Sequence, residues 1–200
     1  MSARDNILEA IRKRRLRSAP QPTVYRAPES RNLVADFVRR AGFAHAEVRV
    51  LESDVEIPAA IADLLRAKNL PAVIHLPPNA PDLAWESAPS LSRETSPPGP
   101  DDAALAIAPY AIAETGTLVY PSRAGAPASW HFRTGFEIAI LRAGNIMPHM
   151  ETALARLKRD DELPSTINFV TGPSRTGDIE QTLELGAHGP KALAILVVKS

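Results

Sequence analysis

Apolar positions recur at helical spacing in four parts of the chain. Residues 1–17 carry their apolar side chains on one face, and this spacing predicts an amphipathic helix. A second helix is predicted over residues 31–41, with Gly42 ending it. A third runs from Pro58 to Asn69, because proline is favoured in a first helical turn and asparagine or glycine after a last one. The fourth is predicted over residues 147–158.

Short apolar runs between these helices predict strands. They lie at residues 46–51, 72–76, 104–108, 117–120, 136–141, 167–170 and 192–198. The first two flank the third helix, and this order predicts that these two strands pair in parallel through a crossover. The whole pattern predicts an α/β fold, with a mostly parallel sheet flanked by helices.

Two segments lack a regular pattern. Residues 18–28 are a predicted linker, which divides the chain into an N-terminal helical extension, residues 1–28, and a larger domain, residues 29–200. Residues 77–100 are rich in proline and serine and predict a long irregular loop. Trp85 in its middle indicates that part of this loop packs on the core.

The amino-acid composition excludes several kinds of binding site and partner. The chain has 23 Lys and Arg residues and 23 Asp and Glu residues. Its net charge is therefore zero, which gives no overall electrostatic attraction to nucleic acid or to an acidic membrane. The chain has no cysteine, which excludes disulfides and cysteine-ligated iron–sulfur clusters. The histidines do not have the spacing of a metal site, and we expect no cofactor in this chain. No apolar run is long enough to cross a bilayer and no secretory signal is visible, so we expect a cytoplasmic protein.

The sequence TGPSRTGD follows a predicted strand and offers groups suited to an anion. Gly172 allows close backbone approach, Ser174 and Thr176 supply hydroxyls, Arg175 supplies a fork of donors, and a helix is predicted to start at Asp178. A small carboxylate or phosphate is the ligand class that these groups favour. The alternative is a tight strand-to-helix turn with Asp178 as its cap.

Two further runs carry ionisable groups between glycines and small residues. In AETGT, Glu114 precedes Thr115 and Gly116, and a carboxylate at a strand end can act as a nucleophile or base. Thr115 and Gly116 are candidate ligand-binding residues, as are Gly172, Ser174, Arg175, Thr176 and Asp178. Alternatively, Glu114 accepts backbone N–H groups within the turn. His188, in HGP, is suited to proton transfer near neutral pH or to holding its own loop. We expect Glu114 and the TGPSRTGD side chains to share one cleft, with His188 near its rim.

Three runs together resemble the LUD (lactate-utilisation) family: residues 111–120, 171–181 and 185–190. The resemblance implies a NagB/RpiA/CoA-transferase-like fold, whose sites lie at the carboxyl ends of strands. It also implies a role in oxidising L-lactate to pyruvate as one of three co-encoded proteins. A longer member of the family carries cysteine clusters, so this chain resembles the small C-type component. The resemblance thus implies that the partners are iron–sulfur subunits.

Three functions are consistent with these features. The first is an anion-binding or accessory subunit of an iron–sulfur-dependent L-lactate dehydrogenase system, without a redox centre of its own. The second is a stand-alone enzyme of CoA-transferase or sugar-phosphate type that uses Glu114. The third is a non-enzymatic regulatory or assembly module.

Overall fold

The structure, a computed structural model, describes most of the chain: residues 3–13, 31–123, 125–126, 129–160, 164–177, 183–185 and 189–199. The predicted linker at residues 18–28 and the candidate residues Asp178 and His188 lie outside the described residues. Within the described ranges, no helix is long and apolar enough to cross a membrane.

The described residues form helices and strands in mixed order along the chain. The helices are α1 (Ala3–Lys13), α2 (Leu33–Phe43), α3 (Ile57–Ala67), α4 (Ser129–Phe132) and α5 (Met150–Asp160). The strands are β1 (Glu47–Leu51), β2 (Val73–His75), β3 (Ser92–Glu94), β4 (Ala103–Ala108), β5 (Tyr110–Ile112), β6 (Thr117–Pro121), β7 (Phe136–Arg142), β8 (Ile146–Met147), β9 (Ile167–Val170), β10 (Arg175–Gly177), β11 (Leu183–Leu185) and β12 (Ala192–Val198).

The main sheet has six strands in the order β1-β12-β7-β4-β2-β3, and every neighbouring pair is parallel. This confirms the predicted α/β fold with a mostly parallel, helix-flanked sheet. The predicted pairing of the strands on either side of α3 is wrong, because β12, β7 and β4 lie between β1 and β2. These three strands are almost wholly buried and apolar, whereas Glu47 and Arg49 favour a sheet edge for β1.

The two faces of the main sheet pack against different layers. On one face, side chains such as Leu105 and Ile138 contact α3 through Ile61 and Leu64. The other face contacts α2 and a smaller sheet of order β8-β5-β6-β9. The far side of that smaller sheet packs against α5. The core therefore consists of two apolar layers around the main sheet and a third beneath α5.

Helix α2 ends later than predicted. It continues through Gly42 to Phe43, and the residue with positive φ beyond it is His45, at 64°. The N–H groups of His45 and Ala46 donate to the carbonyl oxygens of Gly42 and Ala41 at 2.9 and 3.0 Å, which is the Schellman arrangement. The prediction that Gly42 ends the helix is wrong, because these hydrogen bonds close the helix end with a histidine in the left-handed position.

Of the other two predicted helices, α3 has the predicted residues at its two ends, whereas α5 begins later than predicted. Helix α3 has Pro58 in its first turn, and Asn69 follows its end with a φ of 53°, as predicted. Helix α5 begins at Met150 rather than at Met147, because Ile146–Met147 pair with β5 as strand β8.

The segment 77–100 is more ordered than its composition predicts. Trp85 packs against the core on the α3 side, which confirms that part of the segment docks. Strand β3 extends the main sheet by pairing in parallel with β2. Its side chains are all exposed, so the sheet edge rather than apolar burial orders this strand.

The TGPSRTGD segment leads into a hairpin. Strand β10 pairs antiparallel with β11, so Arg175 and Thr176 belong to a strand and not to the loop before a helix. Leu183 and Leu185 alternate with Glu184, which is the spacing of a strand. The predicted helix start at Asp178 lies outside the described residues.

Candidate functional site

A chain of threonine hydroxyl groups joins two of the three motif runs. Thr117 Oγ1, in a buried side chain, lies 2.6 Å from Thr115 Oγ1 and 2.6 Å from Thr171 Oγ1. Strands β6 and β9 pair antiparallel, with Leu118 opposite Val170, so the start of one strand meets the end of the other. The structure therefore brings the AETGT turn and the beginning of the TGPSRTGD segment together. The predicted cleft shared by Glu114 and the later side chains of that segment stays a prediction.

Gly116 and Gly172 both lie against the end of α2. Their φ angles are 69° and 78°, in the region that favours glycine. A Cβ on Gly116 would lie 2.3 Å from Ala41 N, and one on Gly172 would lie 2.0 Å from Ala44 O. Because protein backbone fills the space where these side chains would be, packing alone accounts for glycine here. Their predicted role in ligand binding stays a prediction.

Glu114 lies at the start of the same turn. It is half-buried, while Thr115 beside it is exposed. Its backbone N–H donates to Pro148 O at 3.1 Å, and Gly116 N–H donates to Ile112 O at 3.0 Å, which holds the turn. The predicted role of Glu114 as a nucleophile or base stays a prediction, as does the alternative of a carboxylate that holds the turn.

The second half of the TGPSRTGD segment contacts the HGP run. Ser174 N–H donates to Pro190 O at 2.9 Å, and a Cβ on Gly189 would lie 3.4 Å from Ser174 Cβ. Arg175 is exposed and has no ion pair with another described residue. The backbone of Thr176 is described, but its side chain is not. The three motif runs therefore form one connected region, with Ser174 next to the start of β12.

A cleft of about 310 Å³ opens beside this region, and we call it the amino-end cleft. The residues that line it precede the main-sheet strands β4, β7 and β12: Pro100, Phe132, Arg133, Thr134, Gly189 and Lys191. This is the opposite end of the main sheet from the carboxyl ends that were expected to carry the site. At the carboxyl ends of β1 and β7, Arg142 forms a bidentate ion pair with Asp54, at 2.5 and 2.7 Å.

The amino-end cleft carries positive charge. Lys191 Nζ lies 2.8 Å from Asp101 Oδ1, and that carboxylate is largely exposed. Arg133 is exposed and has no hydrogen-bond or ion-pair partner among the described residues. Thr134 is buried, and its hydroxyl group donates to Asp102 O at 2.7 Å. Arg133 is therefore available to pair with an anion.

A buried polar cluster lies next to the cleft along the chain. Glu137 is 0% exposed, and its Oε1 accepts hydrogen bonds from Tyr120 Oη at 2.8 Å and His131 Nδ1 at 3.2 Å. The rings of Tyr120 and His131 stack with their centroids 3.8 Å apart. Burial, followed by the charge of Glu137 and its hydrogen bond, raises the pKa of Tyr120 well above its ordinary value. Among the described residues, Glu137 Oε2 is the only enclosed side-chain polar atom without a hydrogen-bond partner.

The sequence did contain a signal for this cluster. Glu137 is a lone carboxylate within FEIAIL, a continuous apolar run that predicts a strand buried on both faces. A buried carboxylate requires donors, and a histidine and a tyrosine were available. The pairing itself was not predictable, because Tyr120 is 17 residues and His131 six residues from Glu137 along the chain.

Comparison with known proteins decides the family. The family model of the LUD domain matches residues 101–198. Residues 101–198 belong to the LUD domain family. The family resemblance read from the motif runs is thus confirmed.

Two curated relatives of this chain are named lactate utilization protein C. The chain is 39% identical over 98 residues to the lactate utilization protein C of Geobacillus thermodenitrificans. This alignment covers 47% of the chain and 41% of that protein. The chain is 35% identical over 102 residues to the lactate utilization protein C of Halalkalibacterium halodurans, spanning 49% and 44%. The matched segment is therefore less than half of either relative.

A solved structure extends the likeness in fold beyond the LUD domain. The crystal structure of a DUF162 family protein from Deinococcus radiodurans has a TM-score of 0.64 and 24% identity, and covers 86% of this chain and 99% of its own. This likeness concerns the fold alone. It supports the α/β architecture described above.

The LUD domain contains the motif runs, the buried cluster and most of the amino-end cleft. The division of the chain at residue 28 stays a prediction. Among the described residues, no group of three or more His, Asp or Glu side chains could hold a metal ion. The expectation that this chain carries no cofactor also stays a prediction.

Proposed function

We propose that the chain acts in L-lactate utilisation, as a LUD-domain component of a multi-protein system that oxidises L-lactate to pyruvate. The observation that best supports this role is the 39% identity to a protein named lactate utilization protein C. In this proposal the chain binds a small carboxylate- or phosphate-bearing ligand and has no redox centre of its own. Its partners are the iron–sulfur subunits of the system, since the chain has no cysteine to ligate a cluster.

Anion binding is supported by the charge of the motif region. Arg133 and Arg175 are exposed and have no ion-pair partner among the described residues. Ser174 precedes Arg175 and contacts the HGP run, whose Gly189 lines the amino-end cleft together with Arg133. A guanidinium group binds a carboxylate or phosphate in two-pronged geometry, which makes both arginines suitable counter-ions.

Growth on L-lactate tests the pathway role. A strain that lacks the gene should grow poorly on L-lactate and normally on pyruvate, and the wild-type gene should restore growth. Arg175→Ala should restore it less well, because a hydrogen bond to a charged group contributes about 1.5–3 kcal/mol. Arg66→Ala is the matched control, since Arg66 pairs only with exposed Asp63 on α3. Normal growth of the deletion strain on L-lactate, in a strain without another lactate dehydrogenase, would contradict the proposal.

A second candidate is an enzyme of CoA-transferase type, in which Glu114 forms a covalent intermediate. It is favoured by the half-buried position of Glu114 in a turn that contacts the TGPSRTGD segment. Glu114→Gln keeps the size of the side chain and removes the nucleophile. Full complementation of growth by Glu114→Gln would exclude this candidate and leave the accessory role intact.

A further inference from the structure

The residues just before β7 bring an aromatic ring and a cation to the amino-end cleft. Phe132 and Arg133 both line the cleft. Phe132 is 42% exposed, and Arg133 is exposed with no hydrogen-bond or ion-pair partner among the described residues. Thr134 Oγ1 and Gly135 N–H both donate to Asp102 O, at 2.7 and 3.0 Å, and hold this segment in place. The ring and the guanidinium group therefore extend from a fixed backbone, as is usual in preformed ligand sites.

A second cation comes from the segment before β12. Ala192 N–H donates to Gly135 O at 3.1 Å, so the segments before β12 and β7 are neighbours, and Lys191 lines the same cleft. Lys191 pairs with Asp101, whose carboxylate is 85% exposed. An ion pair so exposed to water is weak, so an incoming anion can displace Asp101. Two cations suit a phosphate monoester, with a charge of about −1.5 to −2 at pH 7, better than a carboxylate with a single charge.

Gly189 leaves space beside the ring of Phe132. Its φ is outside the left-handed region, and a Cβ there would lie 4.0 Å from Phe132 Cδ1 and 3.4 Å from Ser174 Cβ, which are ordinary contact distances. Packing therefore does not require a glycine at this position, in contrast to Gly116 and Gly172. Because Gly189 lines the cleft, a larger side chain would instead fill space that a ligand could occupy.

We propose that the amino-end cleft binds a nucleoside monophosphate, with its base stacked on Phe132 and its phosphate between Arg133 and Lys191. Every base has a π-face that can stack on an aromatic side chain, and a guanidinium group binds two phosphate oxygens at once. The volume of about 310 Å³ is at the lower end of the range for ligand pockets, about 300–1,000 Å³, which suits one nucleotide rather than two. This proposal rests on the proposed function and names the phosphate-bearing ligand of the same region.

Three probes separate the base from the phosphate. AMP has both groups, ribose 5-phosphate lacks the base, and adenosine lacks the phosphate. Each is titrated into the purified full chain, with binding followed by NMR. AMP should bind about 5- to 100-fold more tightly than ribose 5-phosphate, because the base stacks. It should bind about 10- to 100-fold more tightly than adenosine, because the phosphate accepts hydrogen bonds from charged groups.

Two variants assign these contacts to side chains. Arg133→Ala should weaken the binding of AMP and ribose 5-phosphate by about 10-fold or more and leave adenosine unchanged. Arg66→Ala, in an exposed ion pair on α3, is its control and should change nothing. Phe132→Leu should weaken AMP and adenosine by about 5-fold or more and leave ribose 5-phosphate unchanged. Phe169→Leu is the matched control, because Phe169 is 40% exposed on β9 and does not line the cleft.

A third variant tests the space beside the ring. Gly189→Ala should weaken the binding of AMP without lowering the thermal stability, because its Cβ would meet only ordinary contacts while it fills part of the cleft. Gly144→Ala is the control, since a Cβ there meets nothing within 4 Å. It should leave both the affinity and the stability as they are in the wild type.

Several results would overturn the proposal. They are no binding of AMP, equal binding of AMP and ribose 5-phosphate, an unchanged preference for AMP in folded Phe132→Leu, or an unchanged affinity for AMP in folded Arg133→Ala. The growth experiment decides the proposed function separately. Binding of AMP together with normal growth of the deletion strain on L-lactate would retain this site and remove the pathway role. Poor growth of that strain, without any binding of AMP, would retain the pathway role and exclude this site.

Discussion

Gly116 illustrates what a residue pattern can and cannot predict. The sequence AETGT predicts a turn that needs glycine, and the φ of 69° agrees. The structure adds that backbone of α2, at Ala41, lies where a side chain would be. That neighbour is about 75 residues away along the chain, so no local pattern could identify it. The same applies to Glu137, whose partners come from other elements.

Gly116→Ala should strongly destabilise the protein. The left-handed conformation costs a non-glycine residue about 1–2 kcal/mol, and overpacking against backbone adds about 1–3 kcal/mol. We expect the free energy of unfolding, measured by denaturant titration, to fall by about 2–5 kcal/mol in total. Gly42→Ala is the control, because Gly42 is helical and a Cβ there meets nothing within 4 Å. It should stabilise by about 0.5–1 kcal/mol, and equal losses in both variants would contradict the packing argument.

Tyr120 should make stability depend on pH in the alkaline range. Its pKa is raised in the folded protein, first by burial and then by Glu137, from an ordinary value of 10.0. Below pH 10 the phenol is protonated in both states, so its contribution is fully present. At higher pH the unfolded chain loses the proton and the folded protein keeps it, so the free energy of unfolding falls by up to about 1.4 kcal/mol per pH unit.

Tyr120→Phe isolates this contribution. The variant loses the hydrogen bond to Glu137 and should be less stable at pH 8. Between pH 10 and pH 11 its stability should then decline less steeply than that of the wild type. Denaturant titrations at each pH measure both curves, and parallel curves would show that Tyr120 does not keep its proton.

Among the elements, those that bury an apolar face were predictable. Strands β4, β7 and β12 are continuous apolar runs, and α3 carries its own start and stop signals in Pro58 and Asn69. Strand β3 was not predictable, because its polar residues are ordered only by pairing with β2. The end of α2 was misplaced for a related reason. A glycine within reach of a helix end is a common stop signal, but the hydrogen bonds that close α2 place His45 there instead.

Glycine should stabilise the protein to different degrees at the residues that follow α2 and α3. His45 and Asn69 both have positive φ, at 64° and 53°. Asparagine tolerates this conformation better than histidine. His45→Gly should therefore raise the free energy of unfolding by about 0.5–1 kcal/mol, and Asn69→Gly by less. Ala44→Gly, at a φ of −81°, should lower it by about 0.5–1 kcal/mol. Thermal unfolding of the three variants tests the order, and a gain in Ala44→Gly would contradict it.

At the scale of the whole molecule, the sequence predicted the fold class, but not the end of the main sheet at which the motif runs meet. Open parallel sheets usually carry their sites at the carboxyl ends of strands. Here the smaller sheet contains antiparallel strands, so the end of β9 and the start of β6 lie together. Ser174 then contacts Pro190, just before β12. Strand order and a second sheet are long-range properties, which periodicity does not encode.

The predicted boundary at residue 28 leads to a test of the whole molecule. Helix α1 has an apolar face, but Ile7 and Ile11 are 60% and 61% exposed, and every described α1 side chain is exposed. Exposed side chains gain little from burial, so α1 should add little to the stability of the rest. A shortened chain that begins at residue 29 should therefore unfold within about 1 kcal/mol of the full chain, because surface segments contribute little. Its denaturant m-value should be almost unchanged, since the area exposed on unfolding sets that slope. Circular dichroism and denaturant titration of both chains measure these quantities. A loss of several kcal/mol would show that the first 28 residues belong to the same cooperative unit as the LUD domain.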